Sequence, residues 1–278
     1  MISFLKRLLN SYKVVVGLII LLSVFAFGFV GSFISSADPT SMAGLLYESP
    51  SSSHILGTDN FGRDVFIELI YSTRTSLIIG FLAGIVATFT GTLLGLFAGY
   101  LGGIVDSIIN SITNIFLSVP PFIILILVSI SLETRSIYLI AFLIGFTSWP
   151  WVARSVRSQT MSLRNRKHVD IARISGFNIF EILIREIVPY IMSYVFMTFS
   201  LQVAFGIIQE ATLSMLGLGP FNVVTLGKML QWAKMYEAMS AGSWWAFVPP
   251  IFIISLISFS LKYINSGMDE VFNPKLRK

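Results

Sequence analysis

The stretch RKHVDIARISGFNIFEILIREIVPY, residues 166–190, is a charged block in a chain that is otherwise rich in apolar residues. Of the 278 residues, 55% are hydrophobic and 12% are charged. Soluble domains carry about 25% charged residues, so this composition predicts an integral membrane protein. The charged block must then lie between membrane segments, and its position decides how the chain is divided.

Six uncharged stretches approach or reach the length of about 20 residues that an α-helix needs to cross a bilayer. They predict an all-α fold with six transmembrane helices, at residues 14–34, 75–105, 107–132, 136–153, 187–209 and 238–261. Gly99, Gly102 and Gly103 are predicted to form the turn between the second and third spans. Pro120 and Pro121 are predicted to kink or locally unwind the third span. The charged block falls in the loop between the fourth and fifth spans, at about 154–186.

Basic residues are distributed unevenly between the two sides that six spans would create. One side holds Lys6, Arg7, Lys13, the basic residues of 154–185, Lys262, Lys275, Arg277 and Lys278. The other side holds only Arg63, Arg74, Arg135, Lys228 and Lys234. Because cytoplasmic loops carry the excess of Lys and Arg, both termini are expected in the cytoplasm. The connections at 35–74 and 214–237 are then expected outside.

The charged block is predicted to form two short helices separated by a break. Residues 168–175 make about two turns, and Gly176 follows where a helix end favours a left-handed residue. Asn178 can cap the second helix, with Glu181 completing a capping box. Glu181 is also expected to pair with Arg185, one turn further on. The second helix is expected to present one apolar stripe, formed by Phe180, Leu183, Ile184, Ile187 and Val188.

Such a block has three interpretations. It could be an amphipathic loop at the membrane surface with no partner, or a docking element that transmits the motion of a soluble partner to the membrane helices. A DNA-binding helix-turn-helix is the third, but the second helix runs directly into a membrane span and could hardly enter a major groove. No nucleic-acid partner is therefore expected.

The sequence of the block resembles a known family motif. DIARISG, followed by IREIVP, is similar to the loop of ATP-binding-cassette importer permeases, which reads E-A-A-x-x-x-G with a proline thirteen residues after the glycine. Asp170 stands for the glutamate and Ile171 and Ala172 for the alanines, while Gly176 and Pro189 match directly. Two of the first three motif positions differ, because Asp170 replaces glutamate and Ile171 replaces alanine. The resemblance implies a coupling helix that binds an ATPase subunit, and it assigns that contact to Asp170, Ile171, Ala172, Arg173, Gly176 and Pro189.

Further matches extend the resemblance over residues 50–278. HILGTDNFGRDVFIELIYSTRTSLIIG from His54, AGYLGGIVD, EATLSMLGLG and the tail MDEVFNPKLRK resemble, in order, the landmarks of the C-type permeases of dipeptide, oligopeptide and nickel importers. The resemblance implies a bacterial or archaeal cell-membrane protein with a six-helix permease fold. Residues 1–74 would supply the first span and an external loop, and residues 75–278 the permease core with the coupling loop.

The same resemblance implies the partners of this chain. They are a second, related permease, two ATPase subunits that bind ATP and Mg, an external solute-binding protein and the lipid bilayer. The cargo would be a peptide, with nickel, metal chelates or oligosaccharides as alternatives. The chain itself is expected to bind no cofactor.

The stretch GTDNFGRD, residues 57–64, is rich in glycine and charge but fits no common ligand loop. It lacks the Gly-Lys-Ser/Thr run of a phosphate-binding loop and the ligand spacing of a calcium loop. It is predicted to be a turn braced by an Asp–Arg pair, leading into an amphipathic outer helix, with direct substrate contact as the alternative. His54 has no partner in the sequence pattern and is expected to be structural.

The fifth predicted span carries a row of polar residues. Thr198, Gln202, Gly206 and Gln209 share one helical face, and Glu210 adjoins it. Polar groups inside a membrane line a cavity or form hydrogen bonds between helices, and both roles stay open here. Thr198, Gln202, Gln209 and Glu210 are therefore candidates for a substrate pathway. Asn110 and Asn114 in the third span have the same two possible roles.

Catalytic motifs are not evident in the sequence. The chain has no cysteine and only two histidines, so no thiolate chemistry and no His-built metal centre is expected. Neither a Walker motif nor a Ser–His–carboxylate arrangement is apparent, and we expect no ATP hydrolysis by this chain. The rival hypotheses are a membrane enzyme, which would need convergent catalytic groups, and a secondary transporter, for which Glu210 is the candidate ion-coupling residue.

Overall fold

The structure is a computed structural model that describes residues 11–272. Within this range the chain is helical and contains no β-strand, only an isolated antiparallel bridge between Thr58 and Asp64. The all-α prediction is confirmed for this part of the chain. Several basic residues used above for orientation lie outside the described range, namely Lys6, Arg7, Lys275, Arg277 and Lys278.

Helix α1 spans Tyr12–Ile34, and helix α2 spans Val65–Leu101. The 37 residues of α2 rise about 55 Å at 1.5 Å per residue, more than the bilayer core of about 30 Å. The Asp64 carboxylate begins this helix by accepting hydrogen bonds from the backbone N–H groups of Phe66 and Ile67, at 2.9 and 3.2 Å. The predicted start at residue 75 was wrong because this cap, not the onset of hydrophobicity, sets where the helix begins.

The turn after α2 uses two of the three predicted glycines. Gly102 and Gly103 have positive φ angles of 68° and 54°, which glycine adopts without steric cost. Gly99 instead lies inside α2, so its assignment to the turn was wrong.

The predicted third span is a bent pair of helices, α3 at Gly103–Ser118 and α4 at Pro121–Ser131. They meet at an angle of 79°. Pro120 and Pro121 have no N–H to continue the helix, and each disfavours a helical conformation in the residue before it. The predicted kink is confirmed and amounts to a complete break.

Helix α5 spans Ile137–Arg164 and continues beyond the predicted end of the fourth span at residue 153. Its charged part pairs with α3. Arg154 donates to the Asn114 side-chain oxygen at 2.7 Å, and Arg157 Nη2 donates to Asp106 Oδ2 at 2.6 Å. These partners let the helix extend past its apolar segment, which hydrophobicity alone could not show.

The rest of the chain forms α6 at Lys167–Ile174, α7 at Ile179–Met215, α8 at Leu226–Met235 and α9 at Val248–Phe272. Helix α9 begins later than the predicted start of the sixth span at residue 238. The preceding residues are held by a short 3₁₀ turn at Trp244–Ala246. There Trp245 Nε1 donates to the Thr58 carbonyl at 3.0 Å.

Five of the described helices are long and apolar enough to cross a membrane, namely α1, α2, α5, α7 and α9, and the bent pair α3–α4 would make a sixth. Helix α2 lies at the centre and packs on α5 through a seam of glycines, Gly91, Gly95 and Gly99. A Cβ atom placed on Gly95 would lie 2.7 Å from the Ala153 carbonyl oxygen. Small residues of this kind let two membrane helices approach closely.

Candidate functional site: a docking block at one end of the bundle

The docking block, residues 166–190, lies at the end of the bundle where α2 finishes. The inward face of α6 is formed by Val169 and Ala172, which are buried. They join an apolar cluster contributed by the ends of α2, α5 and α7, including Leu96, Val156 and Ile187. Helix α6 is therefore packed against the three central helices of the bundle.

The opposite face of α6 is open. Ile171 is 63% exposed and Ile174 is 88% exposed, and the Asp170 carboxylate lies on the same short helix and is exposed. Apolar side chains this exposed outside a membrane span favour contact with a partner. The exposed face thus combines two isoleucines with a negative charge.

Arg173 connects α6 to its neighbours. Its guanidinium donates to the Tyr100 hydroxyl at 3.2 Å, to the Arg164 carbonyl at 3.1 Å and to Asp170 Oδ1 at 3.1 Å. Tyr100 belongs to α2 and Arg164 to α5, so one side chain bridges three helices. Arg173 therefore braces the block within the subunit.

Gly176 ends α6 with a φ of +84°. Its N–H donates to the Arg173 carbonyl, and the Phe177 N–H donates to the Ala172 carbonyl, both at 3.1 Å. This pair of bonds is the Schellman arrangement, which requires a left-handed residue at this position. The predicted helix end at Gly176 is confirmed.

The next helix begins with the predicted capping box. Asn178 Oδ1 accepts from the Glu181 N–H, and Glu181 Oε2 accepts from the Asn178 N–H, each at 2.9 Å. The predicted Glu181–Arg185 pair was wrong because the cap already engages the Glu181 carboxylate. Arg185 instead lies over the Phe177 ring, 5.8 Å from its centroid.

After a first α-helical turn at Ile179–Glu181, α7 contains a π-helical turn at Ile182–Ile187, in which the Val188 N–H bonds to the Leu183 carbonyl. Pro189 follows. It has no N–H for the carbonyl four residues earlier, and its ring would press against that carbonyl in a regular helix. The wider turn accommodates the proline by adding one residue to the helix.

This extra residue changes which side chains face inward. Leu183 and Ile187 are buried as predicted, and Ile182, outside the predicted stripe, is buried with them. Phe180 and Ile184 are exposed, so the predicted single stripe was wrong for these two. A regular helical period does not hold across a π-helical turn.

The candidate pathway residues lie in different surroundings along α7. The Thr198 hydroxyl donates to the Tyr194 carbonyl of its own helix at 2.9 Å. Gln202 and Gln209 are half-buried. Gly206 is buried where α7 meets α2, because a Cβ atom there would lie 3.1 Å from the Ala83 Cβ. Thr198 is half-buried like Gln202 and Gln209, and all three stay predicted candidates for contact with a pathway.

Glu210 is fully buried within the subunit. Ser76 of α2 and Ser214 of α7 donate hydroxyl hydrogen bonds to its carboxylate, at 3.0 and 2.6 Å. The Ser76 oxygen also accepts the Leu226 N–H at the start of α8, at 3.1 Å. The carboxylate thus joins three helices, a geometry that favours a structural role.

Comparison with known proteins identifies the group to which the chain belongs. Residues 91–278 match the family described as "Binding-protein-dependent transport system inner membrane component". The chain belongs to this family. The family resemblance inferred from the motifs is therefore confirmed.

Two curated relatives of this transport-system membrane component match almost the whole chain. The dipeptide transport system permease protein DppC of Bacillus subtilis (strain 168) is 31% identical over 283 residues, 98% of this chain and 85% of that protein. The oligopeptide transport system permease protein OppC of Escherichia coli (strain K12) is 32% identical over 280 residues, 98% of this chain and 90% of that protein.

A solved structure shares the fold. The MetNI methionine ABC transporter, in an inward-facing conformation, matches with a TM-score of 0.53 and 18% identity. The match covers 72% of this chain and 95% of the chain in that structure. At this identity, the likeness concerns the fold alone.

A cluster of loops covers the opposite end of the bundle, where α2 begins. We call it the loop cap, and it is formed by residues 35–64 and 216–247. In the stretch at 57–64, Asp59 Oδ1 accepts from the backbone N–H groups of Phe61 and Arg63, both at 2.8 Å. The predicted Asp–Arg brace is therefore a carboxylate–backbone contact, not an ion pair. Burial raises the pKa of Asp59, and these N–H groups oppose that rise.

His54 has a partner that the sequence pattern did not show. Its Nδ1 lies 2.9 Å from Asp64 Oδ2, so the residue that caps α2 also holds the histidine. The expectation that His54 is structural agrees with this position. No group of three or more His, Cys, Asp or Glu side chains within residues 11–272 could hold a metal ion.

The sequence interpretation missed α8, which forms one wall of the loop cap. The Arg63 guanidinium and the Lys228 ammonium both lie over the Trp232 ring, at 4.6 and 5.4 Å from its centroid. Burial lowers the pKa of Lys228. A signal for α8 was present, because Thr225 precedes the helix and accepts the Lys228 N–H as an N-cap.

Proposed function

We propose that this chain is the permease subunit of an ATP-binding-cassette importer that carries di- or oligopeptides across a bacterial or archaeal cell membrane. The observation that carries the proposal is the match of 98% of the chain to each of two proteins named as peptide permeases. The subunit would form half of the pathway, and a second, related permease would form the other half. An external binding protein would deliver the peptide.

We propose that the docking block couples ATP hydrolysis by the ATPase subunits to movement of the membrane helices. Its exposed face would enter a groove on an ATPase subunit, with Ile171 and Ile174 filling apolar space and Asp170 meeting a positive charge. ATP and Mg would be held by the two ATPase partners. When these partners close, the force would reach α2 and α5 through Arg173 and would reach α7 through the buried side of α6.

ATP-dependent uptake of a defined peptide tests this function. Vesicles containing this chain, the second permease, both ATPase subunits and the binding protein are expected to accumulate labelled trialanine only when ATP is present. Nickel and an oligosaccharide serve as competing cargo. Accumulation of either of these without peptide, or peptide uptake that does not require ATP, would contradict the proposal.

The proposal includes six spans, with α3 and α4 together forming the third. Both termini and the docking block would then lie in the cytoplasm, and the loop cap would lie outside. The uneven distribution of basic residues supports this orientation.

Labelling of single introduced cysteines tests the orientation of the chain in the membrane. The chain has no native cysteine that would also react. A cysteine at Lys167 should react with an impermeant thiol reagent only from the cytoplasmic side. A cysteine at Lys234, which is exposed on α8, should react only from outside. Reaction of both from the same side would rule out the six-span arrangement.

A further inference from the structure

A groove of about 340 Å³ lies between α5, α7 and α9, away from the docking block and from the glycine seam. All three helices are candidate membrane spans. The groove combines exposed apolar side chains with two polar ones, and its lining includes Trp151, Leu201, Gln202, Phe205, Ile208 and Lys262.

Lys262 brings a positive charge to this groove. It is exposed and makes no ion pair among the described residues. The next acid along α9 is Asp269, about 10 Å further at 1.5 Å per residue, and its neighbour Glu270 is paired with Lys13. The ammonium is therefore available to an anion that enters the groove.

Gln202 brings an unused acceptor. Its Oε1 atom is buried and has no hydrogen-bond partner within the described residues. A buried carbonyl oxygen of this kind calls for an N–H or O–H donor. Trp151, which is 57% exposed, and Phe205 provide apolar walls beside it.

These groups together match the end of a peptide main chain. We infer that the groove binds the C-terminal carboxylate of the transported peptide at Lys262 and the preceding peptide N–H at Gln202 Oε1. This inference rests on the proposed peptide-import function. Because both contacts are made to the main chain, the site would accept peptides of differing sequence.

An anionic lipid headgroup is the other candidate for the lysine. The phosphate of phosphatidylglycerol would satisfy the ammonium, and a glycerol hydroxyl of the same headgroup could donate to the glutamine oxygen. We choose the peptide because it is the proposed cargo and because its main chain carries both a terminal carboxylate and an N–H. Lipid binding at Lys262 would show as an effect of Lys262→Met that requires anionic lipid in the vesicles.

Uptake of paired peptides by the reconstituted whole complex tests the lysine contact. Trialanine and trialanine amide are each supplied at concentrations that saturate the binding protein. The wild-type complex is expected to carry the acid about tenfold faster, the range of a charge-assisted hydrogen bond. Lys262→Met should reduce this preference to about onefold, and Lys262→Arg should restore most of it. Lys234→Met, which removes an exposed lysine outside the groove, should leave the preference unchanged.

The glutamine contact has its own test, which also serves if Lys262→Met fails to assemble. The wild-type complex should carry trialanine faster than the analogue whose last peptide nitrogen is methylated, and Gln202→Leu should abolish that difference. The inference is overturned if the wild-type complex shows neither preference or if the variants keep both. It is also overturned if Lys262→Met slows the acid and the amide equally, or if its effect disappears in vesicles without anionic lipid.

Two readouts separate this inference from the proposed function. A wild-type complex that accumulates peptide only with ATP but shows neither preference would refute this inference alone and leave the proposed function standing. A wild-type complex that accumulates no peptide would instead refute the proposed function, and with it this inference.

Discussion

Gly176→Val is expected to abolish peptide uptake while leaving the subunit inserted and folded. Gly176 has a φ of +84°, and a Cβ atom placed there meets nothing within 4 Å. The penalty is therefore conformational, about 1–2 kcal/mol for a side chain in the left-handed region and more for a β-branched one. The valine would open the Schellman bonds after α6 and tilt the exposed face away from its ATPase groove.

The measurement is uptake together with stimulated ATP hydrolysis in vesicles that contain the whole complex. The ATPase subunits should either dissociate or hydrolyse ATP without transport. Gly176→Asn is the matched control, because asparagine tolerates a positive φ and the surrounding space is free. It should retain most of the uptake.

Asp170→Lys tests the exposed face of α6 by changing its charge, and this substitution does not alter the backbone conformation. It reverses the charge offered to the partner and removes the bond from Arg173, so uptake should again be lost. If both Gly176→Val and Asp170→Lys kept normal uptake and stimulation, the block would not couple the ATPases to transport. The interpretation as a surface loop without a partner would then stand.

Gly95→Leu is expected to prevent the subunit from folding. A Cβ atom on Gly95 would lie 2.7 Å from the Ala153 carbonyl oxygen and 3.0 Å from the Arg157 nitrogen. Both are backbone atoms of α5, so no side chain can move aside. Overpacking with even smaller groups costs about 1–3 kcal/mol, and a leucine here should cost more.

The amount of monodisperse subunit after detergent extraction measures this effect. Little or none should be recovered for Gly95→Leu, and Gly95→Ala should lower the thermal unfolding midpoint without abolishing recovery. Leu93→Phe adds bulk to an exposed position of the same helix and should behave as wild type. Normal recovery of Gly95→Leu would show that α2 and α5 do not pack as the structure has them.

Features that depend on residues close together in the chain could be predicted from the sequence. The membrane class follows from composition, and the break at Pro120 and Pro121 follows from the missing N–H groups. The capping box at Asn178 and the left-handed Gly176 are formed by bonds that span only a few residues. Such features can be predicted from the sequence because the groups that form the hydrogen bonds lie within a few residues of one another.

Features that depend on residues far apart in the chain could not be predicted without the three-dimensional arrangement of the helices. Helix α5 continues past residue 153 because Asp106 and Asn114, on another helix, pair with its arginines. Glu210 is held inside the subunit because Ser76, 134 residues away, donates to its carboxylate. Gly99 became a packing residue because a Cβ there would lie 2.6 Å from the Thr160 Cβ of α5. Each outcome depends on which helices meet, and spacing along one chain does not specify that.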